Sequence, residues 1–159
     1  MTTTHTYDVT VEWTGNLGPG TEDYRSYSRD HEILADRKAP IAASSDPAFR
    51  GDPARWSPEE LLVASVAQCH MLWYLHLCAA GGVTVVEYED RAHGVMTMDE
   101  SGGGGRITEV VLRPEVTVAD PSMTEKARAL HGEIHALCFI ARSVNFPITH
   151  LPSIRVRGA

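Results

Sequence analysis

The sequence predicts an α+β protein with a mainly antiparallel sheet and two long helices. Three observations lead there: apolar residues alternate in the first dozen positions and again between Val83 and Val118, a long apolar helix opens on a capping signature, and a later stripe recurs at 3- and 4-residue spacing. The chain has 159 residues, 43% hydrophobic and 22% charged. That is enough for one domain, 1–159, whose core needs no disulfide or metal.

Tyr7, Val9, Val11 and Trp13 alternate with Asp8, Thr10 and Glu12, the period of a half-buried strand. The glycines and proline between Gly15 and Gly20 end it, and Tyr24 to Leu34 resumes extended character as its antiparallel neighbour. Asp36 to Trp56, with Pro40, Pro47 and Pro53, reads as a long connection, a length that often serves function. Ser57-Pro58-Glu59-Glu60 is a helix start: Ser57 caps, Pro58 takes the first turn, and Glu60 completes the box. The helix runs to Ala80 and stops at Gly81-Gly82. It is apolar nearly all round, so it should be enclosed by protein on most sides, which in a chain this small favours a homodimer.

Val83 to Met98 and Ile107 to Val118 read as the arms of a hairpin around the Ser101–Gly105 tip. That glycine run lacks the Lys-Ser/Thr of a phosphate loop and precedes a strand. A second capping box, Ser122-Met123-Thr124-Glu125, opens a helix with the stripe Ala127, Leu130, Ile134, Leu137, Cys138 and Ala141. Pro147 and Pro152 end it, and Ile154 and Val156 mark a last short strand. No internal repeat is visible.

A net charge of −7 without a basic run argues against a nucleic-acid partner. The first seven residues are neither basic nor apolar, so no secretory leader is expected and the protein is placed in the cytoplasm. Leu61 to Ala80 approaches the length of a membrane span but contains Ser65, Gln68, His70 and His76 behind two glutamates, which reads as a buried helix with no membrane partner. Three cysteines, an odd number, then read as thiols.

Cys69 lies in mid-helix and Cys138 on the stripe of the other helix, so both can face one interior; Cys78 fits a small core residue. Two thiols on separate helices suit a peroxidatic thiolate and a second thiol that closes a disulfide on its sulfenic acid. A fast thiol nucleophile needs a nearby cation, and arginine holds thiolate and peroxide oxygen together best. Arg25, Arg29, Arg37, Arg50 and Arg55 all precede the cysteine helix. Glu59 stands ten residues before Cys69, about 15 Å along one helix, a distance that antiparallel packing of two copies would remove. His131, His135 and Cys138 share a helix stripe with metal-ligand chemistry, but neither H-E-x-x-H nor C-x-x-C is present, and the expectation is no metal. A Cys69/His70 hydrolase is a weaker reading still, because adjacency on a helix splays the side chains by about 100°.

Ser57-Pro58-Glu59-Glu60-Leu61-Leu62 followed by Ala67-Gln68-Cys69-His70 resembles the central motif of the OsmC/Ohr family, and Cys138 with Asn145-Phe146-Pro147 is a second match; the likeness spans about Tyr7 to Val156. The resemblance implies a thiol-dependent, peroxiredoxin-like peroxidase of OsmC-like fold, an intertwined homodimer with sites at the subunit interface. By that likeness Cys69 is the peroxidatic thiol, Cys138 the resolving thiol and Glu59 the carboxylate positioning an arginine. Ohr-like members point to Arg29 for it, OsmC-like members to Arg50, and Arg50 is preferred. No cofactor is bound; an external dithiol, of lipoyl type, would recycle the enzyme. Apolar walls from Leu72, Trp73, Phe139 and Phe146 would favour organic hydroperoxides as substrate. Phe139 stands where proline is common in the family and His70 where an aromatic is, and each would reshape the pocket. The competing readings are a redox sensor or apolar-ligand-binding dimer of the same fold, and a zinc-binding structural protein using His131, His135 and Cys138.

Overall fold

Alternation near the start of the chain yields strand β1, Thr10–Trp13, in a computed structural model that describes residues 2–158. The residues fall into two units, one running to Leu61 and one starting at Leu62. In the first, β1 pairs antiparallel with β2 (His31–Leu34), and β2 with β3 (Ile41–Ala43). The strands are shorter than the sequence pattern, since Tyr7 to Val9 lie outside β1 and Tyr24 to Tyr27 form turns and bends ahead of β2. β3 falls within the connection expected to be irregular. It forms because the chain returns beside it, with Trp56 N–H donating to Ala42 O at 3.2 Å and Ser44 N–H to Trp56 O at 2.9 Å. Between them, Asp46 caps the 3₁₀ turn Pro47–Phe49, which ends on Arg50 at φ 67°, a left-handed conformation uncommon outside glycine.

Helix α1 spans Pro58–Ala80. Its capping box is reciprocal: Ser57 N–H donates to Glu60 Oε2 at 2.8 Å, and Glu60 N–H to Ser57 Oγ at 3.2 Å. Gly82, at φ 74°, turns the chain out of it, and Val83 N–H donates back to Cys78 O at 2.8 Å. By length and composition α1 could also cross a membrane. One line at four-residue spacing, Val66, His70, Tyr74 and Cys78, is buried. The rest is half-buried or exposed, so within a single chain α1 is not enclosed on most sides as its apolarity predicts.

Each arm of the expected hairpin is broken into two strands: β4 (Val85–Asp90) and β5 (His93–Met98), then β6 (Gly105–Leu112) and β7 (Pro114–Val118). β5 and β6 form the hairpin at the glycine tip, whereas β4 and β7 pair in a separate sheet. The corner is held by Asp90, whose Oδ1 accepts from Arg113 N–H at 2.7 Å. Two further strands, β8 (Ile148–His150) and β9 (Ser153–Val156), add parallel to β6 and β7. Antiparallel pairing therefore holds for the hairpins and fails at the chain's end, where sequence pattern marked only β9.

The second helical segment starts on Asp120, not Ser122: Asp120 Oδ1 accepts Ser122 N–H at 2.8 Å and opens the 3₁₀ turn Pro121–Met123. True α-helix, α2, is confined to Thr124–Leu130 and continues as 3₁₀ helix over His131–Ala136. Gly132 follows that transition, and glycine weakens a helix interior by up to about 1 kcal/mol. The apolar stripe survives the change: Ala127, Leu130, Ile134, Cys138 and Ala141 are all buried. They pack with Tyr74, Val116 and Val118 in the main core, while Val66, Val110 and Leu112 form a second cluster under α1.

Candidate functional site

The site is built in the second unit from one residue of α1 and one residue beyond α2. Cys69, half-buried, lies one position before the buried line of α1. Cys138 follows the 3₁₀ segment, where its N–H donates to Ile134 O at 2.8 Å and its O accepts from Arg142 N–H at 3.1 Å. The two sulfurs, both free thiols, are 2.7 Å apart, so about 0.7 Å of approach separates contact from a covalent bond. Ala141 N–H donates to Cys138 Sγ at 3.3 Å. Burial first, then the hydrogen bond to Cys69, pushes the Cys138 thiol up to about 11. Cys78 is buried in the core, and that burial pushes its thiol up as well.

Trp73, one turn after Cys69, meets Phe139 edge to face, centroids 5.6 Å apart. Leu72 and Phe139 are exposed, and Phe146 packs instead against the second core cluster. Of the four apolar wall residues, the structure thus joins two.

The expected arginine and glutamate lie in the first unit. Glu59, in the first turn of α1, has a sheltered Oε2 without a partner. Arg29 is committed: its guanidinium donates to Tyr27 O at 2.8 Å and Tyr24 O at 2.7 Å, and lies over both rings at 4.1 and 4.3 Å. Arg50 is exposed and stands 6.0 Å from the Tyr24 ring. Arg55 pairs with Glu32 at 3.1 Å and Asp30 at 3.7 Å.

Sequence reasoning missed a histidine pair. His70 Nε2 and His131 Nδ1 are 2.9 Å apart, one donating to the other, and both rings are buried. His131 stacks on Tyr74 at 3.9 Å, and His150 completes a group with centroids 5.8 and 6.1 Å from the two rings. His70 is lowered to about 4, by burial and then by His150; His131 is lowered to about 3, by burial and then by His70, His150 and Arg128. The signal was the four-residue run Val66, His70, Tyr74, Cys78, which sets His70 on the core-facing line. His135, in contrast, is exposed, and among the described residues no three His, Cys, Asp or Glu side chains are grouped to hold a metal.

Fold and thiols together define an α+β protein with two cysteines in contact across its helices. The chain belongs to the OsmC/Ohr family: the family of OsmC-like proteins matches residues 51–150. An OsmC-like protein of unknown function from Vibrio cholerae is similar over 94% of this chain and 100% of its own, with 29% identity and a TM-score of 0.81. The organic hydroperoxide resistance protein of Elizabethkingia anophelis has TM-score 0.68 at 16% identity, covering 99% of this chain and 100% of its own. The organic hydroperoxide resistance protein OhrB of Bacillus subtilis has TM-score 0.64 at 20% identity, covering 95% and 98%. At these last two identities the likeness is one of fold. No match was found among curated proteins.

Proposed function

We propose that this protein is a cysteine-based peroxidase that reduces organic hydroperoxides, with Cys69 as peroxidatic and Cys138 as resolving thiol. The observation that carries the reading is the 2.7 Å approach of the two free thiols. Cys69 thiolate attacks one peroxide oxygen; the O–O bond breaks, an S–O bond forms, and the alkoxide takes up a proton to leave as alcohol. Cys138 then attacks the sulfenic sulfur, the S–S bond forms, and the hydroxyl departs as water with the Cys138 proton. An external dithiol, of lipoyl type, reduces the disulfide by exchange and is itself oxidised. No bound cofactor enters the cycle. Because Cys138 is a weak acid, direct handover of its proton to the departing hydroxyl suits closure better than prior ionisation.

The arginine that stabilises the leaving alkoxide is assigned to Arg50, with Arg29 as alternative. Glu59, whose sheltered Oε2 lacks a partner, would hold that guanidinium. Ten residues of helix separate Glu59 from Cys69, so the working unit is proposed as a homodimer in which the partner copy brings these groups together. Exposed apolar side chains on β1 and α1, among them Val11 and Leu72, support that reading. The protein would work in the cytoplasm, away from membranes, where dithiols keep both cysteines reduced between turnovers.

The test is steady-state consumption of cumene hydroperoxide with dihydrolipoamide, comparing wild type, Cys69→Ser and Cys138→Ser. Turnover is expected to vanish in the first, and in the second to fall at least tenfold after one equivalent. Comparable rates with hydrogen peroxide would count against an organic substrate. Wild type that consumes about one peroxide per chain and stops would make the pair a redox sensor.

A further inference from the structure

The peroxide chemistry above uses neither of the two most deeply buried polar side chains of the second unit, His70 at 6% and His131 at 1% exposed. Their placement is particular. His70 follows Cys69 on α1, and His131 opens the 3₁₀ segment that leads to Cys138. A single hydrogen bond, His70 Nε2 to His131 Nδ1 at 2.9 Å, thus joins the two backbones that carry the thiols. Tyr74, one turn further along α1, stacks on His131 at 3.9 Å and donates its hydroxyl to Ala127 O at 3.0 Å, so the tie is braced from α1 both at His131 and in α2 just before it.

We propose that the His70–His131 hydrogen bond is a strut that sets the reach of Cys138 to Cys69, which makes both histidines positioning residues for disulfide closure. The inference rests on reading Cys69 and Cys138 as a disulfide-forming pair. Two arguments carry it. Apolar contacts slide with little change in energy, whereas a buried hydrogen bond between two rings has one register and leaves polar atoms unsatisfied in every other. His131 Nε2 already lacks a partner, so a leucine and a phenylalanine would fill this space at lower desolvation cost. The second argument is reach. Seven residues separate His131 from Cys138, and a switch between 3₁₀ and α geometry changes the rise by about 0.5 Å per residue, or about 3 Å over the segment. That exceeds the 2.7 Å between the sulfurs, so the thiols meet only if the 3₁₀ segment starts from a fixed point.

The experiment is a thiol–disulfide equilibrium that does not depend on peroxide. Full-length protein is equilibrated with oxidised and reduced dithiothreitol; the protein dithiol gives two electrons and two protons to the cyclic disulfide, and Cys69–Cys138 forms. Acid quench and alkylation give the equilibrium constant, and urea unfolding of the same samples gives stability. The double variant His70→Leu/His131→Phe replaces both rings by apolar side chains of roughly similar size and removes the bond. It is expected to lower the constant at least tenfold without loss of stability, while His70→Gln, whose amide can occupy the place of Nε2, stays within about threefold of wild type. A folded double variant with the wild-type constant would overturn the strut. Should that variant not fold, His70→Met is compared with His70→Gln, and equal constants overturn it equally. A parallel single-turnover measurement with cumene hydroperoxide separates the two proposals: sulfenic acid formation should be unchanged in the double variant and closure slowed tenfold. Wild type that ignores peroxide yet shows the expected dithiothreitol series would remove the peroxidase and leave the strut standing.

Discussion

The two units bury their apolar residues very differently. From Leu62 onward, α1, α2 and two three-stranded sheets enclose Tyr74, Val116, Val118, Ile134 and Cys138. Before it, a three-stranded sheet of similar pairing leaves Val11 at 63% exposure, and Tyr7 and Val9, just ahead of its first strand, stand at 87 and 67%. Strand pairing alone therefore does not make a core: three short strands satisfy backbone hydrogen bonds, but burial needs a second layer. The second unit supplies its own layer. The alternation of Tyr7, Val9 and Val11 meets none, which is why it reads as a half-buried strand and is found largely bare.

The sharpest break of this contrast is Ile134→Ala, fully buried in the main core, expected to lower stability by about 2–5 kcal/mol in urea; Val11→Ala should cost under about 0.5 kcal/mol at a concentration where the chain is monomeric. Acid acts on the second unit through its two buried histidines. His70 and His131 are held near 4 and 3, below the unfolded value near 6.5. Below pH 6.5 the unfolded chain binds protons that the folded chain refuses, so stability is full above that pH and falls as pH drops toward the folded values, by on the order of 3 kcal/mol for either ring. Urea midpoints between pH 7 and pH 4 check this, and His70→Gln should flatten the slope. The proposed homodimer sharpens the comparison at the other end. Val11→Asp should weaken self-association at least tenfold in sedimentation velocity while leaving monomer stability almost unchanged; an unaltered dimer would show that β1 is bare in solution. Smallest is Ser57→Ala, which removes one half of the capping box and should cost about 1 kcal/mol in thermal unfolding.

What could be read from the sequence follows the range of the interactions involved. Ser57 and Glu60 cap across three residues and Gly82 ends α1 within one turn, so both boundaries of α1 were legible. The inward placement of Cys138 was legible from its apolar stripe as well, but its approach to Cys69, 69 residues away, was not. Features set by distant partners were not. The corner between β4 and β5 depends on Asp90 meeting Arg113 N–H, 23 residues away, and the parallel addition of β8 and β9 depends on where the chain's end docks. The His70–His131 bond closes over 61 residues, and although four-residue spacing turns His70 inward, no local pattern names the residue it meets. α2 was over-extended for the opposite reason: its apolar stripe is real, and a stripe at 3- and 4-residue spacing is satisfied by 3₁₀ turns as well as by α-helix.

The unequal burial of the three sulfurs has a practical side. Cys78 and Cys138 are each 1% exposed, and Cys69 alone is half-buried. A bulky maleimide or spin label offered to the folded protein therefore has one place to attach, with no cysteine removed beforehand. The folded chain should carry one adduct and the unfolded chain three. A label at Cys69 would sit directly on the sulfur whose surroundings matter most, giving the native sequence its own reporter.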